Sequence, residues 1–264
     1  MKLFVINLDR QPERLRRMAR MLEGMGLSFS RVSAVDGAQL SEEAIGRWCG
    51  HASFGAMRPG AVACFLSHRE CWRRVVDEGL PLAAVFEDDL HMADDAASLL
   101  ANGDWVPEET DIVKLETMRQ PTRVDKSPFA VVGARRLHRL AGKHVGAGGY
   151  IVTRKGAEKL LAMSQTFNCP VDHFIFNPEQ PSASSLETLQ LCPAICIQDF
   201  FLKDPAAVIG LGSDLHEERS QDRPRGLMKL WREAKRPSVQ LANLVQRMAS
   251  TWLTDKKWIV VDFR

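Results

Sequence analysis

Three consecutive acidic residues, Glu87, Asp88 and Asp89, directly follow the apolar run LAAVF. Acidic side chains next to an apolar segment are rarely buried unless a partner neutralises them. If the three residues are extended, Glu87 and Asp89 project to one side and Asp88 to the other. Carboxylate oxygens suit Mg²⁺ or Mn²⁺. The run therefore predicts a divalent metal site at Glu87 and Asp89, with a solvated acidic turn as the alternative.

The segments around these acids predict an alternating α/β fold. Apolar runs at 3–8 and 29–35 are typical of strands, and a helix is predicted from Pro12 until glycine interrupts its spacing. A helix with one apolar stripe is predicted over 61–77, followed by a buried strand over 82–87. Since ligands of open α/β sheets lie beyond the carboxyl ends of the strands, the acids stand where a ligand is expected.

The rest of the chain divides into a continuation of this domain and a basic extension. Strands are predicted at 111–115 and 148–153, with Thr153 capping a helix over 154–163, and the polar segment 177–188 is predicted as a loop or lid. We expect one domain over 1–220 and a basic helical extension over 221–264. Residues 223–247 carry seven basic side chains and one acid. They could contact an anionic membrane leaflet or pack on the domain.

Composition and charge exclude several classes of protein. The net charge of +2 over 264 residues predicts no nucleic acid partner, and an apolar fraction of 45% is ordinary for a globular protein. With no apolar run long enough for a signal sequence or a membrane span, a soluble cytoplasmic protein is expected. The six cysteines lack CxxC spacing, so we expect free thiols and no structural zinc.

Six stretches, in order, resemble glycosyltransferase family 25, which includes bacterial lipopolysaccharide and lipooligosaccharide galactosyl- and glucosyltransferases. They are FVINLDRQPERLRRM, RVSAVDG, GAVACFLSHRECW, LAAVFEDDL, GGYIVTRKGAEKLL and PVDHFIF, and they span about residues 3–200. The resemblance implies a GT-A-like fold, a nucleotide-binding, Rossmann-like mixed sheet flanked by helices. It also implies inverting transfer of a hexose from a UDP-sugar to a lipid-linked oligosaccharide acceptor, with Mn²⁺ or Mg²⁺ held by the acidic run.

Five further residues in the first half of the chain are candidates for substrate binding. Asn7 and Arg14 flank the first strand-to-helix turn, which meets the nucleotide in the resembling family, although Arg14 could belong to a solvated basic face. Asp36 could accept from the base or ribose, or simply be a turn acid before a glycine. Ser67 and His68 match the SH of the family, which favours a role near the nucleotide or the acids. The alternative for His68 is a core histidine.

Two acids carry more specific expectations. Asp172, in PVDH, lies among apolar and aromatic residues that would raise its pKa and suit a general base. It could instead complete the metal shell or cap a helix that begins near His173. Asp88, between the two expected metal ligands, could bind the ribose.

The remaining candidates are weaker. Gly148 and Gly149 could let the backbone approach a sugar ring, or only ease a turn. Tyr150, the only tyrosine of the chain, is predicted to be core. Gln198 and the later Ser213–Asp214 loosely match the family's closing Gln and Ser, and are weak donor-site candidates.

Three other functions share features of this sequence. A nucleotidyltransferase that makes a nucleotide sugar would use a similar sheet and metal. It usually has a glycine-rich loop after the first strand, where this chain has NLDRQPER. A non-catalytic homologue would act as a binding protein but has no chemical need for three adjacent acids. A glycoside hydrolase places its two carboxylates across a cleft, not side by side in sequence.

Overall fold

The computed structural model describes residues 1–49, 57–202, 208 and 253–264. Strands and helices are mixed along the chain, with five strands in succession between residues 112 and 153. The strands of the described residues are β1 (Lys2–Asn7), β2 (Ser30–Ser33), β3 (Leu82–Glu87), β4 (Leu90–Met92), β5 (Ile112–Lys114), β6 (Pro121–Asp125), β7 (Ala130–Val132), β8 (Arg135–Arg139), β9 (Gly149–Thr153), β10 (Thr188–Cys192), β11 (Cys196–Gln198) and β12 (Lys256–Val260). Their α-helices are α1 (Pro12–Gly24), α2 (Glu42–Trp48), α3 (Pro59–Asp77), α4 (Ala96–Leu100), α5 (Arg154–Met163), α6 (Val171–Phe176) and α7 (Pro181–Ser184). Short 3₁₀ turns lie at Gly37–Gln39 and Asp199–Phe201.

Eight strands form one mixed sheet, in the order β2-β1-β3-β9-β5-β10-β8-β7. β1 pairs in parallel with β2 and β3, whereas β9 runs antiparallel to both β3 and β5. Two smaller antiparallel pairs join β4 to β11 and β6 to β12. The predicted α/β architecture, a mixed sheet flanked by helices, is confirmed.

Alternation along β1 sends its side chains into two apolar layers, one on each face of the sheet. Phe4 and Ile6 join the layer formed with α3, α5 and α6, whereas Leu3 and Val5 join the layer formed with α1 and α4. A strand buried on both faces must be apolar at successive positions, which explains the unbroken run that the sequence shows. The apolar stripe predicted for α3 is buried at several positions, which include Phe65, Cys71 and Trp72.

The parallel pairing of β1, β2 and β3 brings their carboxyl ends to one edge of the sheet. Ile6 is in register with Glu87, and Asn7 is in register with Ser33. Ligands bind beyond this edge in open α/β sheets. The acidic run, the end of β1 and the end of β2 therefore face the same space.

Two local features differ from expectation in the catalytic half of the fold. β3 ends at Glu87, and Asp88 and Asp89 form a turn that leads into β4. The strict in-and-out alternation assumed for the acidic run is therefore wrong, because two of its three residues lie outside the strand. The polar segment 177–188 contains the short helix α7.

The C-terminal extension is described only at its end. There, β12 is a strand rather than a helix, because the β-forming run Trp258–Val260 pairs with β6. Residues 223–247 and Ser213–Asp214 lie outside the described residues. Of the helices that the structure describes, none is both long and apolar enough to cross a membrane.

Candidate active site

A cavity of about 330 Å³ opens at this edge of the sheet. Its wall is formed by the ends of β1 and β2, the Gly37–Gln39 turn, the first half of α3 and the acidic run after β3. The predicted residues Asn7, Arg14, Asp36, Ser67 and His68 all line it, together with the three acids. The structure thus brings together candidates that lie as far apart in sequence as Asn7 and Asp88, which are separated by 81 residues.

Asp88 is held from both sides by residues of the first turn. Asn7 Nδ2 donates to Asp88 Oδ2 at 2.7 Å, and Arg14 Nη1 lies 3.4 Å from Asp88 Oδ1. Burial raises the pKa of Asp88, and the contacts from Asn7 and Arg14 partly oppose that rise. The Asn7 amide also donates to Gln11 O at 2.8 Å and accepts from Arg31 Nε at 3.1 Å. Because these hydrogen bonds hold the Asn7 amide in place, Asn7 orients the carboxylate of Asp88.

Glu87 has partners on both of its oxygens. His68 Nε2 lies 3.2 Å from Glu87 Oε1, with Cys64 Sγ at 3.8 Å, and Gln198 Nε2 donates to Glu87 Oε2 at 2.8 Å. Burial disfavours the charged form of Glu87, and the hydrogen bonds from His68, Gln198 and Cys64 favour it. Glu87 is therefore an oriented carboxylate at the cavity wall.

Asp89 is the acid of the run that has a buried oxygen without a partner. Its Oδ1 is buried and makes no hydrogen bond within the described part of the chain. Burial and the charges of Glu87, Asp88 and Glu116 raise the pKa of Asp89 well above its ordinary value. An acid in this position is stabilised by a cation. The oxygen donors of Asp89 and Glu87 therefore fit Mn²⁺ or Mg²⁺.

A second donor set lies at the same wall. The Sγ of Cys64, a ring nitrogen of His68 and a carboxylate oxygen of Glu87 all lie within 4.8 Å of one another. Sulfur and imidazole donors suit zinc rather than manganese. The two sets share Glu87 and differ in every other ligand.

Glu116, which the sequence reasoning missed, lies fully buried behind the acidic run. Its Oε2 accepts from Gly148 N at 2.8 Å, its Oε1 has no partner among the described residues, and Lys114 Nζ lies 3.5 Å away. Burial raises the pKa of Glu116 to about 7, although Lys114 opposes the rise. The signal for this pair was available, since Lys and Glu alternate with apolar residues in the buried stretch IVKLE.

The glycines of the Gly146–Gly149 segment allow close packing against these acids. A Cβ at Gly148 would lie 3.0 Å from Glu116 Oε1 and 3.2 Å from Gln198 Nε2, and a Cβ at Gly149 would collide with Cys196 Sγ. Gly148 O accepts from Glu87 N at 2.8 Å. The absence of side chains thus lets Glu116 and the backbone of Glu87 both contact Gly148.

Asp36 and Ser67 shape the far side of the cavity. Asp36 accepts from Ala38 N at 3.0 Å and from Arg10 Nε at 3.2 Å, which is the turn-acid geometry. Ser67 Oγ accepts from Val35 N at 2.9 Å and donates to Ala63 O at 2.8 Å. Ser67 therefore joins the end of β2 to α3.

Asp172 lies outside the wall of this cavity, in the first turn of α6. Its Oδ1 accepts from His173 N at 2.9 Å, and its Oδ2 lies 3.4 Å from Gly146 N. α6 begins at Val171, with Pro170 at the N-cap position, so the expected start near His173 is two residues late. Through Gly146, Asp172 contacts the same glycine segment that Glu116 supports.

Comparison with known proteins identifies relatives along most of the chain. A family described as glycosyltransferase family 25 (LPS biosynthesis protein) matches residues 1–175. The chain is 30% identical to lacto-N-neotetraose biosynthesis glycosyltransferase LgtB of Neisseria gonorrhoeae over 87% of this chain and 85% of that protein. It is 26% identical to lipooligosaccharide biosynthesis protein lic2B of Haemophilus influenzae over 83% of each.

Solved structures overlay on the chain at low similarity. A glycosyltransferase involved in the glycosylation of the major capsid of PBCV-1 has a TM-score of 0.39 and 8% identity, over 75% of this chain and 93% of that chain. An inositol-1-phosphate CTP transferase from T. maritima has a TM-score of 0.33 and 13% identity, over 83% of this chain and 76% of that chain. Likeness at this level is too distant to indicate a function.

Proposed function

The chain belongs to glycosyltransferase family 25, and from this membership we propose that it transfers a hexose, galactose or glucose, from a UDP-sugar to a lipopolysaccharide or lipooligosaccharide acceptor. We propose further that the transfer inverts the anomeric centre and needs Mn²⁺ or Mg²⁺. The observation that carries the proposal is the buried Oδ1 of Asp89 at the cavity, which has no hydrogen-bond partner in the part of the chain that the structure describes. No observation on the described residues favours one of the other functions considered from the sequence.

Several features of the cavity support binding of a nucleoside diphosphate. The N-terminus of α3 reaches the cavity at Pro59 and Gly60, and the first turn of that helix has no acidic residue. Backbone N–H groups at a helix N-terminus favour phosphate. Arg14 also lines the cavity and can bind phosphate while it contacts Asp88. Asp36, Ser67 and the Gly37–Gln39 turn would enclose the nucleoside.

The acids have separate roles in this proposal. Glu87 and Asp89 would hold the divalent cation, and Asp88, oriented by Asn7, would face the ribose. When bound, the cation supplies positive charge that stabilises the departing diphosphate. The hydrogen bond from Gln198 would prevent the Glu87 carboxylate from rotating freely.

Asp172 is proposed as the general base that removes the proton from the acceptor hydroxyl, with a place in the metal shell as the alternative. It is partly exposed, and it contacts Gly146 N in the segment that borders Glu87 through Gly148. A base must reach the attacking hydroxyl directly or through one water. In the proposal, Gly148 and Gly149 act through their close packing against Glu116, Gln198 and Cys196 and not by leaving room for a sugar.

Substitution of Asp89 tests the proposal. Asp89→Asn keeps the size of the side chain and removes its charge, so we expect Mn²⁺-dependent release of UDP from UDP-galactose or UDP-glucose to fall about a hundredfold. Asp94→Asn is the matched control, since Asp94 is exposed and close in sequence. Wild-type activity in Asp89→Asn, with the control also unaffected, would refute the assignment.

A further inference from the structure

A chain of buried hydrogen bonds runs from the core to Glu87 and is not explained by packing. Trp72 Nε1 lies 2.8 Å from Tyr150 Oη, Tyr150 Oη lies 3.0 Å from His68 Nδ1, and His68 Nε2 lies 3.2 Å from Glu87 Oε1. Trp72, Tyr150 and His68 are all 0% exposed. Strand β9 supplies Tyr150, and α3 supplies the other two.

The donors and acceptors of this chain can be assigned from its chemistry. An indole nitrogen only donates, so Trp72 donates to Tyr150 Oη. The phenol hydrogen must then find an acceptor, and within the described residues the other polar group at Oη is His68 Nδ1. A buried hydroxyl left without an acceptor would cost free energy. Tyr150 therefore donates to His68 Nδ1. Burial keeps the phenol neutral, since it raises the pKa of Tyr150 well above its ordinary value.

The geometry at the other ring nitrogen agrees with this assignment. A neutral imidazole that accepts at Nδ1 carries its hydrogen on Nε2. His68 Nε2 lies 3.2 Å from Glu87 Oε1, so that hydrogen has an acceptor in Glu87. In this tautomer Nε2 has no lone pair for a metal, and the donor set of Cys64, His68 and Glu87 is incomplete.

We propose that Tyr150 is a positioning residue that holds His68 as the Nε2–H tautomer, so that the imidazole donates to Glu87 and fixes the direction of its carboxylate. Ligands of metal sites are commonly oriented by such outer hydrogen bonds. An effect of Tyr150 on transferase activity would depend on the proposed function of Glu87. The position of the proton on His68 does not depend on that function. It also follows that the cation of this site takes oxygen ligands and not the thiol and imidazole.

The direct test is the tautomer of His68 in the full-length protein without metal. Long-range ¹⁵N–¹H NMR of histidine-labelled protein, with His68→Gln to assign the signal, should show a protonated Nε2 and an unprotonated Nδ1. His144 is an internal control, because its Nδ1 lies 2.8 Å from Gln190 Oε1 and must donate there. His144 should therefore show the opposite tautomer. A His68 ring protonated on Nδ1, either alone or as the imidazolium, would overturn the proposal.

Variants connect the tautomer to catalysis. Tyr150→Phe removes the donor to Nδ1, so the His68 signature should change while that of His144 does not, and kcat should fall about tenfold with a smaller change in KM for the UDP-sugar. Trp72→Phe is the control for disturbed packing, since Tyr150 keeps its hydroxyl and His68 should stay Nε2–H. If Tyr150→Phe folds and leaves both the NMR signal of the His68 tautomer and kcat unchanged, the proposal is contradicted. If that variant does not fold, the His68 tautomer seen in the wild-type and Trp72→Phe spectra tests the proposal.

Titration with Zn²⁺ alone gives a further discriminating result. We expect the His68 signals to keep their tautomer at stoichiometric Zn²⁺. If Zn²⁺ moves the ¹⁵N chemical shift of His68 Nε2 to the value of a metal-bound nitrogen, and Cys64→Ser abolishes that change, the thiol and the imidazole form a zinc site. That result would overturn the proposal. If the expected tautomer is found in a protein without hexosyl transfer, the proposed function fails and the proton assignment stands.

Discussion

Three neighbouring acids have three different environments in this protein. Glu87 accepts from side chains on α3 and β11, Asp88 accepts from the end of β1 and from α1, and Asp89 has a buried oxygen with no partner among the described residues. Because burial and neighbouring acids disfavour the charged form of Asp89, it is the residue of the run on which we expect a cation to have the largest effect. The proposed roles follow from these partners and not from the order of the acids in sequence.

Glu116 gives a prediction on the pH dependence of stability. Its pKa is raised from 4.5 to about 7 in the folded protein, so the native state binds more protons than the unfolded state between these values. Stability supplied by the protonated form is fully present below about pH 4.5 and is lost as pH rises through about 7. From pH 4.5 to 8, wild type should lose on the order of 2–3 kcal/mol relative to Glu116→Gln. Urea unfolding across this pH range measures the difference.

The control for that experiment is Glu158→Gln, because Glu158 is exposed on α5. Its stability curve should run parallel to that of wild type over the whole pH range. Parallel curves for Glu116→Gln as well would show that Glu116 titrates normally, and the account of its burial would be wrong.

The sequence predicted residue types better than residue partners. Asn7 and Arg14 were candidates from their position at the first turn, but Asn7 lies 81 residues from its acid Asp88. Gln198, a weak match, donates to Glu87 across 111 residues. Glu116 was missed although Lys114 and Glu116 alternate with apolar residues in IVKLE, because that pattern alone does not show that the segment is buried next to the acidic run. Contacts of this separation are set by strand order, which spacing along one segment does not reveal.

At the scale of elements, the Gly146–Gly149 segment connects the buried acids to the cavity. Gly148→Ala would place a methyl 3.0 Å from Glu116 Oε1 and 3.2 Å from Gln198 Nε2. We expect the variant to displace Gln198 from Glu87, to lower stability by about 1–3 kcal/mol and to lower kcat. Thermal unfolding and donor turnover measure the two effects.

Gly24→Ala is the matched control, since a Cβ at Gly24 meets nothing within 4 Å at the end of α1. Alanine there should leave turnover unchanged and change stability by less than about 1 kcal/mol. If Gly148→Ala behaves as Gly24→Ala does, the segment does not constrain Glu87.

Elements with an apolar run or helical spacing were predicted well, the short strands β2 and β5 included, whereas short elements without such a pattern were not. β1, α1, α3, β3, β9 and α5 follow from apolar runs, helical spacing and capping residues. The three-residue strands β4 and β11 have no such pattern, because each exists through pairing with the other. The same is true of β12, whose partner β6 lies more than a hundred residues earlier.

At the scale of the whole molecule, the end of the chain belongs to the catalytic fold. β12 pairs with β6, and Thr117 Oγ1 donates to Val261 O at 2.7 Å. Truncation at residue 220 would therefore remove a strand from the fold, and it cannot test the basic segment by itself. Contact of residues 223–247 with an anionic membrane leaflet, in a cytoplasmic enzyme, stays a prediction.

Charge removal within the full chain tests that contact. Replacing Lys229, Arg232, Lys235 and Arg236 by Gln should reduce flotation with liposomes that contain anionic lipid, since each basic residue near such a surface contributes about 1 kcal/mol. Turnover of a soluble oligosaccharide acceptor should not change. If the variant and the wild type float equally, these basic residues do not bind the membrane.

The central claim is that Asp89 and Glu87 bind a divalent cation that contacts the donor diphosphate. The most direct measurement is the anomalous difference density of crystals grown with Mn²⁺ and UDP. We predict one manganese peak bound to Asp89 Oδ1 and a Glu87 oxygen, next to the diphosphate and at the N-terminal end of α3. A bound UDP with no manganese at Asp89, or a metal held by Cys64 and His68 instead, would contradict the account.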